Sequence, residues 1–185
     1  MKWEIVCAGI GGRGVLLASS ILLETAVSQG YYAIASDELG MSQRGGSVVS
    51  MIKAGECKSP LIGRENADVL LSFEESEFYG NLVFLKRGGL AIVNTGRKDL
   101  PPAVEALCRD RQIRWYPLDA DRIARAMGMV QASNMALLGF FSHFSVGPYS
   151  LPHVITALQT RVPGKFFAKN REVLEAGRKE AEARL

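Results

Sequence analysis

Gly9-Ile10-Gly11-Gly12-Arg13-Gly14 decides the fold because of what stands on either side of it. Before it, Trp3-Glu4-Ile5-Val6-Cys7-Ala8 is short, apolar and ended by glycine, the pattern of a buried strand. After it, Val15 to Ser28 has helical length, good helix formers and small residues for close packing, and Gly30 stops it. Tyr31 to Ser36 predicts a second strand. Strand, glycine turn, helix and strand make a β-α-β unit, which implies neighbouring parallel strands joined by a right-handed crossover.

The rest of the chain extends that unit. Asp37 to Gly46 is polar and glycine-punctuated and reads as a loop. Ser47 to Lys53 suits a strand, Ala54-Gly55-Glu56 a turn, and Cys57 to Ile62 an extended return, so an antiparallel hairpin is expected there. Asp68 to Phe73 is another buried strand. Glu74-Glu75-Ser76-Glu77 then opens a helix whose positive N-terminus suits acidic residues, with Lys86-Arg87 at its basic end and Gly88-Gly89 closing it. Leu90 to Asn94 and Ile113 to Pro117 predict two more strands around a helix begun by Pro101-Pro102. From Asp119 onward the pattern is mainly helical. Residues 133–144 are apolar around most of the helix, with Ser133 as N-cap, and mark a helix buried in the fold or covered by a partner. Leu151–Arg161 and Asn170–Arg184 are two further helices, the second highly charged. The expectation is one α/β domain over residues 1–185: Rossmann-like, with a mainly parallel twisted sheet, an antiparallel hairpin and C-terminal helices.

Composition narrows the function classes. Of 185 residues, 48% are hydrophobic and 22% charged, and the net charge of +3 comes from interspersed acids and bases. That argues against a nucleic-acid partner. No apolar run has the length of a membrane span, and the first residues carry no signal-peptide pattern, so a cytoplasmic protein without a membrane partner is expected. Cys7, Cys57 and Cys108 are far apart in sequence, which suits reduced thiols and offers no closely spaced set for zinc or an iron–sulfur cluster. His143 and His153 are the only histidines and are read as packing or surface residues.

The glycine turn satisfies G-x-G-x-x-G in the required strand-to-helix context. Gly9 would permit the tight turn, Gly11 the approach of backbone to a phosphate, and Gly14 close helix–strand packing. The same glycines would also serve packing alone. Asp37 and Glu38 stand near the distance at which a ribose-binding carboxylate is expected, so a free-standing nucleotide-binding protein or dehydrogenase stays open. Against it, the chain shows no acid/base pair and leaves no room for a substrate domain. Arg13 suits a position facing an anionic ligand or a carboxylate of a partner.

A second glycine turn has no place in a dinucleotide fold. Ser42-Gln43-Arg44-Gly45-Gly46 sets an arginine beside paired glycines, where a guanidinium and free amides could grip a phosphate or carboxylate. Here a family resemblance becomes specific. GxGGxG, then ELGMSQRGGSVVS, SPLI, ADVLLSFEESE, LKRGGLAIVN, SNMALLGFF and PGKFFAKNREVLEAG occur in an order that resembles the gamma-type subunit of 2-oxoacid:ferredoxin oxidoreductases, over essentially the whole chain. Within that family it is most similar to the small (beta) subunit of the indolepyruvate type.

The resemblance implies a complex that oxidatively decarboxylates an aryl 2-oxoacid to its acyl-CoA and passes the electrons to ferredoxin. It implies a large partner subunit that carries thiamine diphosphate with Mg and the iron–sulfur clusters, coenzyme A as co-substrate, and no cofactor on this chain alone. Self-association is left open. The chain would then be inactive by itself and hold no catalytic residue. It would wall the cleft for 2-oxoacid and coenzyme A with Arg44, Gly45 and Gly46, and secondarily with Arg13, Gly11 and Gly12. Their role would be electrostatic, not proton transfer. Arg44 serves such positioning or an intersubunit salt bridge, and a purely structural adaptor is the remaining alternative. Glu74, Glu75 and Glu77 are read as complementing a helix dipole. Asn134 and Asn170 are read as capping or backbone-satisfying residues. Met127, Met129 and Met135, near Phe140, Phe141 and Phe144, are read as core or interface.

Overall fold

In the computed structural model, which describes residues 1–40 and 45–185, six strands form one sheet. They are β1 (Lys2–Ile10), β2 (Ala33–Leu39), β3 (Ser47–Gly55), β4 (Ala67–Ser72), β5 (Leu85–Asn94) and β6 (Arg114–Leu118). Their spatial order is β2-β3-β1-β4-β5-β6. β1, β4, β5 and β6 pair in parallel, while β3 runs antiparallel to both β1 and β2.

This order corrects two sequence expectations. β1 and β2 are not neighbours, because β3 lies between them and pairs with each along most of its length. The hairpin is formed by β2 and β3, not by β3 with residues 57–62, which carry no strand. Asp37, Glu38 and Leu39, expected in a loop, therefore continue β2 opposite Ser50, Val49 and Val48. Pairing with a long, mostly buried partner strand overrides the local polar pattern. Lys86 and Arg87 likewise lie in β5, since the helix after β4 ends at Asn81.

Side-chain alternation sorts the core into two layers. Ile5 and Cys7 of β1, Val69 and Leu71 of β4, and Leu90 and Ile92 of β5 face one side. There they meet α1 (Val15–Ser28), α4 (Ala120–Ala126), α5 (Ser133–Ser142), α6 (Leu151–Arg161) and α7 (Gly164–Arg184). Val6, Ala8, Leu70, Ala91 and Val93 face the other side, under α2 (Glu75–Asn81) and α3 (Pro102–Asp110). Every residue of α5 is buried. Its cover is α7 of the same chain. A β-carbon built on Gly139 would stand 1.8 Å from the Leu174 carbonyl oxygen, and one on Gly177 2.0 Å from that of Ala136. The two backbones thus meet where neither helix has a side chain.

Two outcomes follow from this packing. Gly177→Ala should destabilise the full chain by about 3 kcal/mol in a urea melt, because the added methyl meets backbone that has nowhere to move. Gly80→Ala, which meets nothing within 4 Å in α2, should be neutral or stabilising by up to about 1 kcal/mol. Burial also raises the Cys7 and Cys108 thiols above their ordinary range, although Arg111 partly opposes this at Cys108. Iodoacetamide should therefore modify only the part-exposed Cys57 in the native protein and all three cysteines in denaturant, as counted by mass spectrometry.

Candidate functional site

The parallel strands all end at one edge of the sheet, where ligands of open α/β folds bind. Both glycine turns arrive there: the first follows Ile10, and the second connects Leu39 to Ser47, which pairs with Ile10. Gly40 donates its N–H to the Ser47 carbonyl at 2.7 Å and so closes the base of the hairpin tip. Met41, Ser42, Gln43 and Arg44 lie outside the described residues. Gly45, at φ 73°, and Gly46 lead back into β3.

The two turns touch. Gly11 donates its N–H to the Gly46 carbonyl at 2.9 Å, and a β-carbon on Gly11 would lie 3.4 Å from the Gly45 nitrogen. Gly11 is small, as the fingerprint requires, but its amide and its open face are given to the second turn. Gly12, at φ 93°, has open space around its α-carbon. Gly14, at φ 72°, lies under Asn134, whose side-chain amide donates to the Gly14 carbonyl at 3.2 Å. Asn134 thus satisfies backbone, as its sequence reading expected. Ser133 is not the N-cap of α5; Ala132 is, and Ser133 is the first helical residue.

Arg13 points at carboxylates of its own chain. Its Nε and Nη2 donate to Glu74 Oε2 at 3.0 and 2.7 Å, and Nη1 to both oxygens of Asp121 at 3.0 and 3.1 Å. Burial works against the charged guanidinium, but Asp121 and Glu74 outweigh it and raise its pKa, so the cation is permanent. Glu74 is therefore more than a complement to a helix dipole. Its neighbours also have separate partners: Glu75 accepts from Thr95 and Tyr79, and Glu77 from Ser47. Thr95 in particular holds the Glu75 carboxyl below its usual range.

Asn94 and Asp121 carry the site but were not singled out by sequence. Asn94 donates to the Phe73 carbonyl at 3.2 Å and accepts from the Ala120 amide at 3.0 Å, which joins the ends of β4 and β5 to the start of α4. The one available signal was position: each stands at or just after the end of a parallel strand.

An open cleft of about 700 Å³ lies beside the first turn, lined by Gly12, Gly14, Leu17, Asn134, Arg161 and Phe166 among others. Three helices begin at its wall: α1, α5 and α7. Their N-cap residues are Gly14, Ala132 and Pro163, none with a side chain that caps, and none of the three has an acid in its first turn. The positive ends of three helices therefore line one cleft, although the Met135 amide of α5 is given to Asn134 Oδ1 and the Phe166 amide of α7 to the Pro163 carbonyl. A smaller concavity of about 320 Å³, which shares Gly12, Gly14 and Leu17 with the cleft, is also lined by Ile10, Gly11, Val15, Leu16 and Val48. Leu16 of α1, Leu39 at the end of β2, Val130 just before α5 and Phe166 of α7 are exposed apolar residues.

The dehydrogenase alternative loses its geometry here. Asp37 accepts a hydrogen bond from Ser50 at 2.5 Å, and its strand is separated from β1 by β3. Among the described residues, no three His, Cys, Asp or Glu side chains group as a metal set, and no helix is long and apolar enough to cross a membrane.

Comparison with known proteins agrees with this architecture. Residues 4–180 match the model of the family described as pyruvate ferredoxin/flavodoxin oxidoreductase. The chain is 32% identical to indolepyruvate oxidoreductase subunit IorB of Archaeoglobus fulgidus, over 98% of this chain and 96% of that one. Among solved structures, the gamma subunit of a keto/oxoacid ferredoxin oxidoreductase from Geobacter sulfurreducens superposes with a TM-score of 0.77 at 26% identity, covering 98% of this chain and 99% of that one. The fold recurs, at 20% identity and a TM-score of 0.79, in 32% of the chain of 2-oxoglutarate:ferredoxin oxidoreductase from Magnetococcus marinus, a structure with 2-oxoglutarate, coenzyme A and succinyl-CoA bound; all of this chain is covered. The chain belongs to the pyruvate ferredoxin/flavodoxin oxidoreductase family and is a subunit of a 2-oxoacid:ferredoxin oxidoreductase.

Proposed function

We propose that this chain, acting as one unit over residues 1–185, is the gamma-type small subunit of a cytoplasmic indolepyruvate:ferredoxin oxidoreductase and walls the coenzyme A side of the active site. A large partner subunit supplies thiamine diphosphate, Mg and the iron–sulfur clusters, and ferredoxin takes the electrons. When bound to that partner, thiamine supplies the chemistry of 2-oxoacid decarboxylation. The residues of this chain bind and orient the co-substrate.

The observation that carries this reading is the convergence of three uncapped helix N-termini on the cleft beside the first glycine turn. Such ends attract anions, and coenzyme A presents several phosphate groups. Arg44, with Gly45 and Gly46, adds a cation and backbone amides at the neighbouring turn. Gly12 leaves the first turn open to close approach, and Gly11 ties the two turns together. The exposed Leu16, Leu39, Val130 and Phe166 fit a surface that the partner subunit covers. Indolepyruvate is favoured by the name of the 32%-identical relative.

Two measurements on the complex co-purified with its large subunit test the reading. Arg44→Ala should raise the KM for coenzyme A about tenfold or more, as loss of a charge-assisted contact would. Unchanged kinetics together with unchanged assembly would exclude both the positioning role and an intersubunit salt bridge for Arg44. A panel of 2-oxoacids with an artificial electron acceptor should give the highest kcat/KM with indolepyruvate. Preference for 2-oxoglutarate or a branched 2-oxoacid would overturn the substrate assignment alone.

A further inference from the structure

We propose that Arg13 is a positioning residue for the first glycine turn and for Gly45 and Gly46 at the root of the second, clamped by Glu74 and Asp121, and not a cation that contacts the co-substrate. This role presupposes that the turns wall the co-substrate cleft, and it assigns what holds them in place.

An arginine that grips an anion keeps donors directed at the ligand. Here Nε, Nη1 and Nη2 all donate to carboxylates of the same chain. One positive charge meets two negative ones, so the cluster carries a net negative charge, which repels an anion. The backbone around Arg13 explains why a clamp is needed. Gly12 and Gly14, both at positive φ, flank it, and glycine loses more freedom on ordering than any other residue. The Arg13 amide donates to the Ile10 carbonyl at 3.1 Å, which closes the turn, but that single bond sits among glycines.

Both anchors are themselves fixed. The Ser72 hydroxyl and the Glu77 amide donate to the Glu74 carbonyl at 2.8 and 3.2 Å. Asp121 lies in the first turn of α4, whose start is held by Asn94 through the Ala120 amide. Arg13 thereby ties the glycine turn to the ends of β4 and β6. From the turn, the Gly11 amide passes that restraint to Gly46 and the root of the second turn.

Hydrogen exchange on the full chain, alone and in the complex, tests this. Arg13→Gln should speed exchange in peptides covering residues 9–15 and 45–48 by roughly fivefold, the scale of a partly exposed ion-pair clamp. Peptides from β5 and α5 should be unchanged. Glu74→Gln with Asp121→Asn, which keeps Arg13 and breaks the clamp, should reproduce the effect; it also serves if Arg13→Gln does not fold. Arg13→Lys, able to reach one carboxylate at a time, should fall between. In the complex, Arg13→Gln and the double variant should raise the KM for coenzyme A by similar factors, and the triple variant no further. Unchanged exchange at both turns would overturn the proposal. So would a KM raised by Arg13→Gln but unchanged or lowered by the double variant, since a ligand cation freed of its carboxylates would bind better. Faster exchange with no change in KM in any variant would uphold the clamp and remove the co-substrate reading.

Discussion

The Gly46 carbonyl reaches the Gly11 amide because Gly11, Gly45 and Gly46 have no side chains to hold them apart: a β-carbon on Gly11 would already press on the Gly45 nitrogen at 3.4 Å. That approach depends on the strand order. β3 must lie directly against β1, so that Ser47 and Ile10 are paired and both turns leave the sheet side by side. Inserting β3 displaces β2 to the sheet edge, and the carboxylates of β2 go with it. The fold that makes the second turn useful thus removes the ribose contact that a dinucleotide-binding protein needs at that position.

Charge at this edge is arranged in two zones. On one side of the first turn, Arg13 is neutralised and outnumbered by Glu74 and Asp121. On the other side, three helix ends face the cleft without an acid among their first residues. Cation and anion are spent on each other beside the first turn, and the helix ends line the cleft without a carboxylate of their own. Arg161, at the rim, is paired with Glu24 at 2.9 Å. Lys165, in the first turn of α7, instead lies over the ring of the cleft-lining Phe166 at 4.9 Å, so side-chain cation and helix dipole act together there.

Much of the fold was legible in local pattern. Apolar runs marked β1, β4 and β6 to within a few residues, and the helical stretches 15–28 and 151–161 were read with the bounds the structure shows. What failed was pairing. Whether Asp37 to Leu39 is loop or strand depends on β3 lying beside it, and nothing in the residues themselves says so. The site was legible where glycines announced it and obscure where single polar residues build it. Asn94 and Asp121 have no motif, and their roles arise only when the ends of three strands meet. Gly139 and Gly177 were unreadable for a similar reason: each is unremarkable in its own helix and meaningful only against the other's neighbours.

The glycine seam between α5 and α7 also sets an order of events during synthesis. α5 begins with Ser133 and Asn134, and Asn134 holds the Gly14 carbonyl, so the first turn is braced from a helix made much later. α5 is in turn buried under α7, which is made after every strand. A nascent chain can pair its strands early, yet the first turn at the sheet edge stays unbraced until residues 164–184 have emerged and closed over α5. The bracing of the first turn is thereby deferred until α7 has been made, about 150 residues after the turn itself.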